Sequence, residues 1–376
     1  MSSVTPESLA LAAQAALKDS LKVLPGESVV IITNPGLEAY TLSQALYQKA
    51  TLMGAKPLLV VQDSCNADEE AHPAVIGALG SEPQVFISIS EKKLGKDGNG
   101  LKKPYRYGGR RFSHISELLI AGKGCSRGFW APGITVERFC EAVPLNYEIV
   151  SLQCWQIKRL LDEALALQIT APGGTDIQFS VKRQGVFLED GNFTRKGRGG
   201  SLPTGEVFLF PVPGTAHGRI VYDGSIVNSE SGLLLTEPID THWEAGFMKS
   251  LEGGDQGQQI EEMLSRSEST AQDRENRGFL PRGRGSVYGQ NARSLGEFGI
   301  GLNPQLKVRG EPLLDQKVLG ACHFSLGNTR GSEAPSVLQL DGLVMKPTIR
   351  LILPGEKELV LFQEGQLMVH VEKDKT

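Results

Sequence analysis

Four acidic or titratable residues stand out because of the company they keep. Glu297 sits in "RSLGEFGIGLNP" (293–304), a run of glycine and apolar residues, and His323 sits in "LGACHFSLGNT" (319–329). Glu206 heads "GEVFLFP", and Asp341 lies within "LQLDGLV". A charge buried alone in such surroundings is costly, so each group needs a partner. One such residue would be unremarkable; four in one region converge on a metal site or an acid/base site. Two glutamates, an aspartate and a histidine make an oxygen-rich donor set for zinc, manganese, cobalt or iron(II). Other chemistries lack their signatures. The six histidines form neither H-E-x-x-H nor H-x-H, and there is no G-x-S-x-G nucleophile elbow.

The elements that must position these residues fall into two textures. Residues 27–34 ("ESVVIITN"), "KPLLVVQ" and "PQVFISI" (83–89) are apolar, β-branched runs that predict buried strands. Between the first two, Leu42, Ala45, Leu46, Lys49 and Met53 recur at helical steps up to Gly54. Strand–helix–strand alternation is the mark of parallel βαβ units. The turn "NPGLEA" carries no G-x-G-x-x-G, so no dinucleotide fingerprint accompanies them. A helix in "IVSLQCWQIKRLLDEALALQIT" leads into short apolar strands with glycine turns, interrupted by one helix near 256–275. This predicts an α/β domain over 1–165 with a mostly parallel sheet. A β-rich domain over 166–376 then carries the metal site.

Bulk properties narrow the setting. The chain has 376 residues, 40% hydrophobic and 22% charged, with a net charge of -4. That balance gives no general drive toward nucleic acid or an anionic membrane. Eight Lys and Arg crowd residues 92–111, which read as a solvated loop. No apolar run reaches membrane-spanning length, and "MSSVTPESLALAAQAALKDS" reads as a helix, not a signal peptide. Five scattered cysteines without C-x-x-C spacing fit reduced thiols in a cytoplasmic protein, Cys322 among them as a buried thiol. Asp315 and Lys317 in "LLDQK" read equally as partners near the site or as a surface pair.

Taken in order, "LPGESVVIIT", "APGGTDIQFSVKRQG", "LPTGEVFLFPVPGTAHGRIVYDG", "SLGEFGIGLNP", "LLDQKVLGACHFSLGNT" and "SVLQLDGLV" resemble the thermophilic-type metallo-aminopeptidases, the group of aminopeptidase T, aminopeptidase S and PepS. The resemblance implies an α/β N-terminal domain, a β-rich C-terminal domain of aminopeptidase T type, two divalent metals and an enclosed site in a homodimer. Carried onto this chain, the implied ligands are Glu206, Glu297, His323 and Asp341. Arg330 stands where the family has a tyrosine, and Gln339 where it has a histidine. One or two ions per chain are therefore expected, with Arg330 placed to hold an anionic substrate group.

The expected function is metal-dependent hydrolysis of a peptide-like or amide bond in a small molecule or short peptide. Metal-activated water would attack, with Glu206 as bridging ligand or general base. One alternative is a mononuclear iron(II) ring-cleaving dioxygenase similar to 2,5-dihydroxypyridine dioxygenases, which resemble this family in fold. The other is a non-catalytic binding protein that has lost the second metal.

Overall fold

The computed structural model describes residues 4–66, 68–228, 231–328 and 334–368. Two compact units form: Met1–Ser151 with Glu189–Thr204, and Leu152–Leu188 with Gly205–Thr376. The boundary read from the sequence at 165/166 falls just after the helix Tyr147–Glu163, within which one unit gives way to the other.

In the first unit the strand Ser28–Thr33 lies between Lys56–Val61 and Val85–Ile89, parallel to both. Arg127–Trp130 and then Gly199–Ser201 extend the sheet, again in parallel. Val29, Val30, Ile31 and Ile32 are all buried, as expected of a central strand in a parallel sheet covered on both faces. The helix Leu37–Leu52 makes the crossover between the first two strands, and Gly54 just beyond it takes a left-handed φ of 77°.

The second unit is built from an eight-stranded and a seven-stranded sheet. In the seven-stranded sheet, neighbours pair antiparallel from Gly232–Leu234 through Ser225–Val227, Leu340–Met345, Ala321–Leu326 and Leu295–Gly301 to Glu206–Leu209. Val186–Glu189 forms its edge. The architecture is thus an α/β unit with a parallel sheet followed by a β-rich unit.

Alternation along the strands divides the seven-stranded sheet into two chemically distinct faces. On one face Phe298 and Phe324 pack together at 5.1 Å between centroids. Both also meet Phe179 of the eight-stranded sheet, at 5.5 and 6.2 Å. Val207, Leu209, Ile300, Cys322 and Val344 share the parity of this face and are buried. The other face carries Glu206, Glu297, His323, Ser325 and Asp341, each one residue out of step with the phenyl face. The apolar sandwich fixes the register, and the register fixes the polar face.

Truncation of Phe298 to alanine should therefore lower stability by about 3–5 kcal/mol in urea unfolding, because ring contacts on both sheets are lost together. A loss under about 1 kcal/mol would show that this interface does not set the register.

Candidate metal centre

Glycines make the room that the polar face needs. Gly299 pairs with His323 across the two central strands. A Cβ on Gly299 would lie 2.0 Å from His323 Cε1, so the imidazole occupies the space a side chain would take. Gly301 pairs with Glu206, and a Cβ there would lie 2.2 Å from the carbonyl oxygen of Val318. The absence of that Cβ lets the 3-10 turn Asp315–Lys317 press against the sheet opposite Glu206. The spacing of glycines in "LGEFGIG" is thus the imprint of two close approaches.

Lys317, only 2% exposed, uses the approach. Its Nζ donates to Glu206 Oε2 at 2.8 Å. The other Glu206 oxygen, Oε1, lies 3.5 Å from His323 Nε2, which lies 3.3 Å from Glu297 Oε1. One donor atom from each of Glu206, Glu297 and His323 falls within 4.8 Å of the other two. All three residues are buried. Among the described residues Glu297 Oε2 and His323 Nδ1 have no hydrogen-bond partner. A buried carboxylate oxygen without a donor is expensive, and a cation is the usual remedy.

Asp341 stands on the same face but is held differently. Ser325 Oγ and Gln339 Nε2, the latter at 3.0 Å, donate to its Oδ1, and Gln316 Nε2 donates to its Oδ2. Both oxygens are occupied, so Asp341 is felt by Glu297 and His323 as a charge while its oxygens answer to amide and hydroxyl donors. Gln339 acts here as a hydrogen-bond donor to Asp341. Arg330 lies outside the described residues. His217 is exposed on the other sheet, with Nδ1 3.1 Å from Thr215 O.

Two residues of this site, Gln316 and Ser325, carry no motif in the sequence. Lys317, which reads equally as a site residue or as a surface partner of Asp315, reaches Glu206, while Asp315 accepts from Ser225 Oγ and the backbone N–H of Gly310. The available signal was that "DQK" sits between a buried strand and the glycine before "ACHF".

Burial raises the Glu297 carboxyl above the usual range, and the Asp341 and Glu206 charges push it further, against the pull of His323. Burial lowers the His323 imidazole, but its contact with Glu297 and the charges of Glu206, Asp341 and Glu297 outweigh this and raise it. Both shifts mean that the folded, metal-free cluster holds protons more tightly than the unfolded chain. Among the described residues, counting Glu206, Glu297 and Asp341 against Lys317, the deficit is two positive charges. A single divalent cation meets it. An N/O donor set with one imidazole suits iron(II), manganese, cobalt or zinc better than magnesium or calcium. The residues present therefore fit a divalent ion.

A family model described as NicX, 2,5-dihydroxypyridine 5,6-dioxygenase, matches residues 148–281. The match contains Glu206 and ends before Glu297, His323 and Asp341. Among solved structures, 2,5-dihydroxypyridine dioxygenase from Pseudomonas putida superposes with a TM-score of 0.70 at 17% identity, covering 98% of this chain and 99% of that one. Wild-type AmpT from Thermus thermophilus gives 0.62 at 16% identity, covering 96% and 99%. Comparison with curated protein sequences returns no match. The chain has the aminopeptidase T-like fold that these two structures share. No described helix is long and apolar enough to cross a membrane.

The expectation of a metal-dependent peptide or amide hydrolase is corrected here. The matching family model is a ring dioxygenase, and the same activity names the solved structure with the higher TM-score of the two. Glu206, expected as a general base or a bridge between two ions, already has one oxygen committed to Lys317.

Two outcomes check the cluster. Gly299→Ala should displace the His323 ring and abolish uptake of divalent metal, read by elemental analysis; retained metal would show that His323 is not a ligand. In the metal-free protein, raised values for His323 and Glu297 add stability that is full below their unfolded values and is lost as pH rises through the folded ones. Urea midpoints of metal-free protein should fall as pH rises above the ordinary histidine value of about 6.5, and Glu297→Gln should flatten the slope. A midpoint that climbs with pH there in the parent protein would contradict the assignment.

Proposed function

We propose that this protein is a mononuclear metal enzyme that opens a hydroxylated, nitrogen-containing aromatic ring with dioxygen, with iron(II) held by Glu206, Glu297 and His323. The observation that carries the metal assignment is the convergence of three buried donors around an unpartnered Glu297 Oε2. The ring-cleaving assignment is supported by the dioxygenase model matched over residues 148–281.

Bound iron(II) would supply the redox chemistry that lets dioxygen react with a closed-shell ring. The chain's own residues prepare for it. Lys317 fixes one oxygen of Glu206 and leaves the other beside His323. Glu297 and His323 share the proton that an incoming cation displaces, so metal uptake is expected to release a proton. Asp341, clamped by Ser325, Gln316 and Gln339, adds negative charge without giving up an oxygen. The donor set has one imidazole and two carboxylates, the reverse of the two-histidine, one-carboxylate face common in non-haem iron oxygenases. One cation satisfies its charge, which supports a single-ion reading.

The test is to purify the protein from medium supplemented with iron, manganese and zinc. Metal per chain is then counted, and oxygen uptake with 2,5-dihydroxypyridine and related hydroxypyridines followed. About one ion per chain is expected, with iron-dependent oxygen uptake and loss of ring absorbance. Glu297→Ala and His323→Ala should lose both metal and uptake. Protein that stays metal-free in every medium would sink the proposal and leave a binding protein whose cluster is balanced by Lys317 and by protons on His323 and Glu297.

A further inference from the structure

The strand that carries Glu206 also carries an aromatic row. Val207 and Leu209 face the sandwich core, and Phe208 shares the face of Glu206. Phe208 pairs directly with Gly299, over which the His323 imidazole lies. On this face Phe208 and the His323 imidazole therefore flank Gly299, one from each of the two strands that pair with Leu295–Gly301. Phe187, on the edge strand Val186–Glu189, stacks on Phe208 with centroids 5.1 Å apart and planes inclined by 16°. Phe210 closes the group at 5.4 Å from Phe187 and 6.1 Å from Phe208.

Exposure rises along this row. Glu206 is 3% exposed, Phe208 8% and Phe187 45%. The row thus runs from the buried cluster to the surface and ends in a phenyl ring held near-parallel to its neighbour and open to water over almost half its area. Exposed apolar surface of this kind, continuous with a polar cluster, matches the make-up of a small-molecule site: aromatic walls with a few converging polar groups. Phenyl rings accept another aromatic ring in offset or edge-on contact, and they add affinity beyond what area alone gives.

We infer that Phe187, Phe208 and Phe210 form the platform on which a planar aromatic substrate ring is held beside the Glu206–Glu297–His323 cluster. The inference rests on the ring-dioxygenase reading and names the residues that would select for an aromatic substrate. A hydroxylated ring laid on this row turns its flat apolar faces to the phenyls and its edge oxygens toward the cluster. A saturated ring of the same size gains the polar contacts but loses the stacking. Phe187 is the residue to alter, because its exposure lets it change without opening the core.

The experiment is isothermal titration, without dioxygen, of metal-loaded and metal-free protein with 2,5-dihydroxypyridine and with 5-hydroxypiperidin-2-one, its ring-saturated counterpart. Phe187→Leu, which keeps apolar bulk and loses the ring, should weaken the aromatic probe about two- to tenfold. It should leave the saturated probe, metal per chain and oligomeric state unchanged. Equal affinity of parent and Phe187→Leu for the aromatic probe would overturn the inference. So would an oligomer that dissociates on that substitution, which would make the row a contact between copies of the chain. The two readings fail separately. Metal and oxygen uptake with no dependence on Phe187 would remove the platform alone. Ring binding that depends on Phe187, in protein that never consumes oxygen, would remove the dioxygenase and keep the platform.

Discussion

Glu206, Glu297 and Asp341 are withdrawn from water on one face of a sheet, and among the described residues Lys317 alone brings a permanent positive charge into their circle. Interior carboxylates repel one another and resist ionisation unless cations or donors answer them. Every notable local feature can be traced to that imbalance. The missing side chain at Gly301 admits the turn that delivers Lys317, and the missing side chain at Gly299 admits the imidazole. Gln316, Ser325 and Gln339 spend three donors on Asp341 alone. Among the described residues Glu297 Oε2 is left without a donor, and it is there that the proposed divalent ion would sit.

The same constraint bears on how many ions the site takes. A two-ion centre of the aminopeptidase kind asks for a carboxylate free to bridge, and Glu206 is tied to Lys317 through one oxygen. It also asks for a ligand at position 339, where the amide of Gln339 turns to Asp341. With one dication the charges of Glu206, Glu297, Asp341 and Lys317 close; with two, those four groups would leave an excess of positive charge. A shared fold at 16–17% identity does not decide chemistry, and the single-ion reading proposed for this chain rests on its donor set.

Much of the architecture was legible because it rests on periodicity. "SVVIIT" and "VFISI" declare buried strands by composition, and the helix after the first of them declares itself by three- and four-residue spacing. Arg127–Trp130 and Gly199–Ser201 did not, since "RGFW" and "GGS" hold their places through backbone pairing to neighbours distant in sequence. The site divides in the same way. Glu206, Glu297 and His323 were visible as titratable groups in apolar strands. Lys317 was ambiguous because its partner is 111 residues away and is found only through the register opposite Gly301. Asp341 was visible as a buried charge and Gln339 as a departure from the family pattern, but Gln316 and Ser325, polar residues without a motif, were not. The aromatic row escaped notice because Phe187 and Phe208 look like ordinary strand residues until the edge strand is placed.

The most direct test is anomalous diffraction at the iron edge from crystals grown with iron(II) under exclusion of oxygen. A single peak bounded by Glu206, Glu297 and His323, with Lys317 still on Glu206, is the expected result. Two peaks would restore a two-ion centre, and density at Asp341 and position 339 without His323 would move the site. An empty map from iron-replete crystals would contradict the central claim outright.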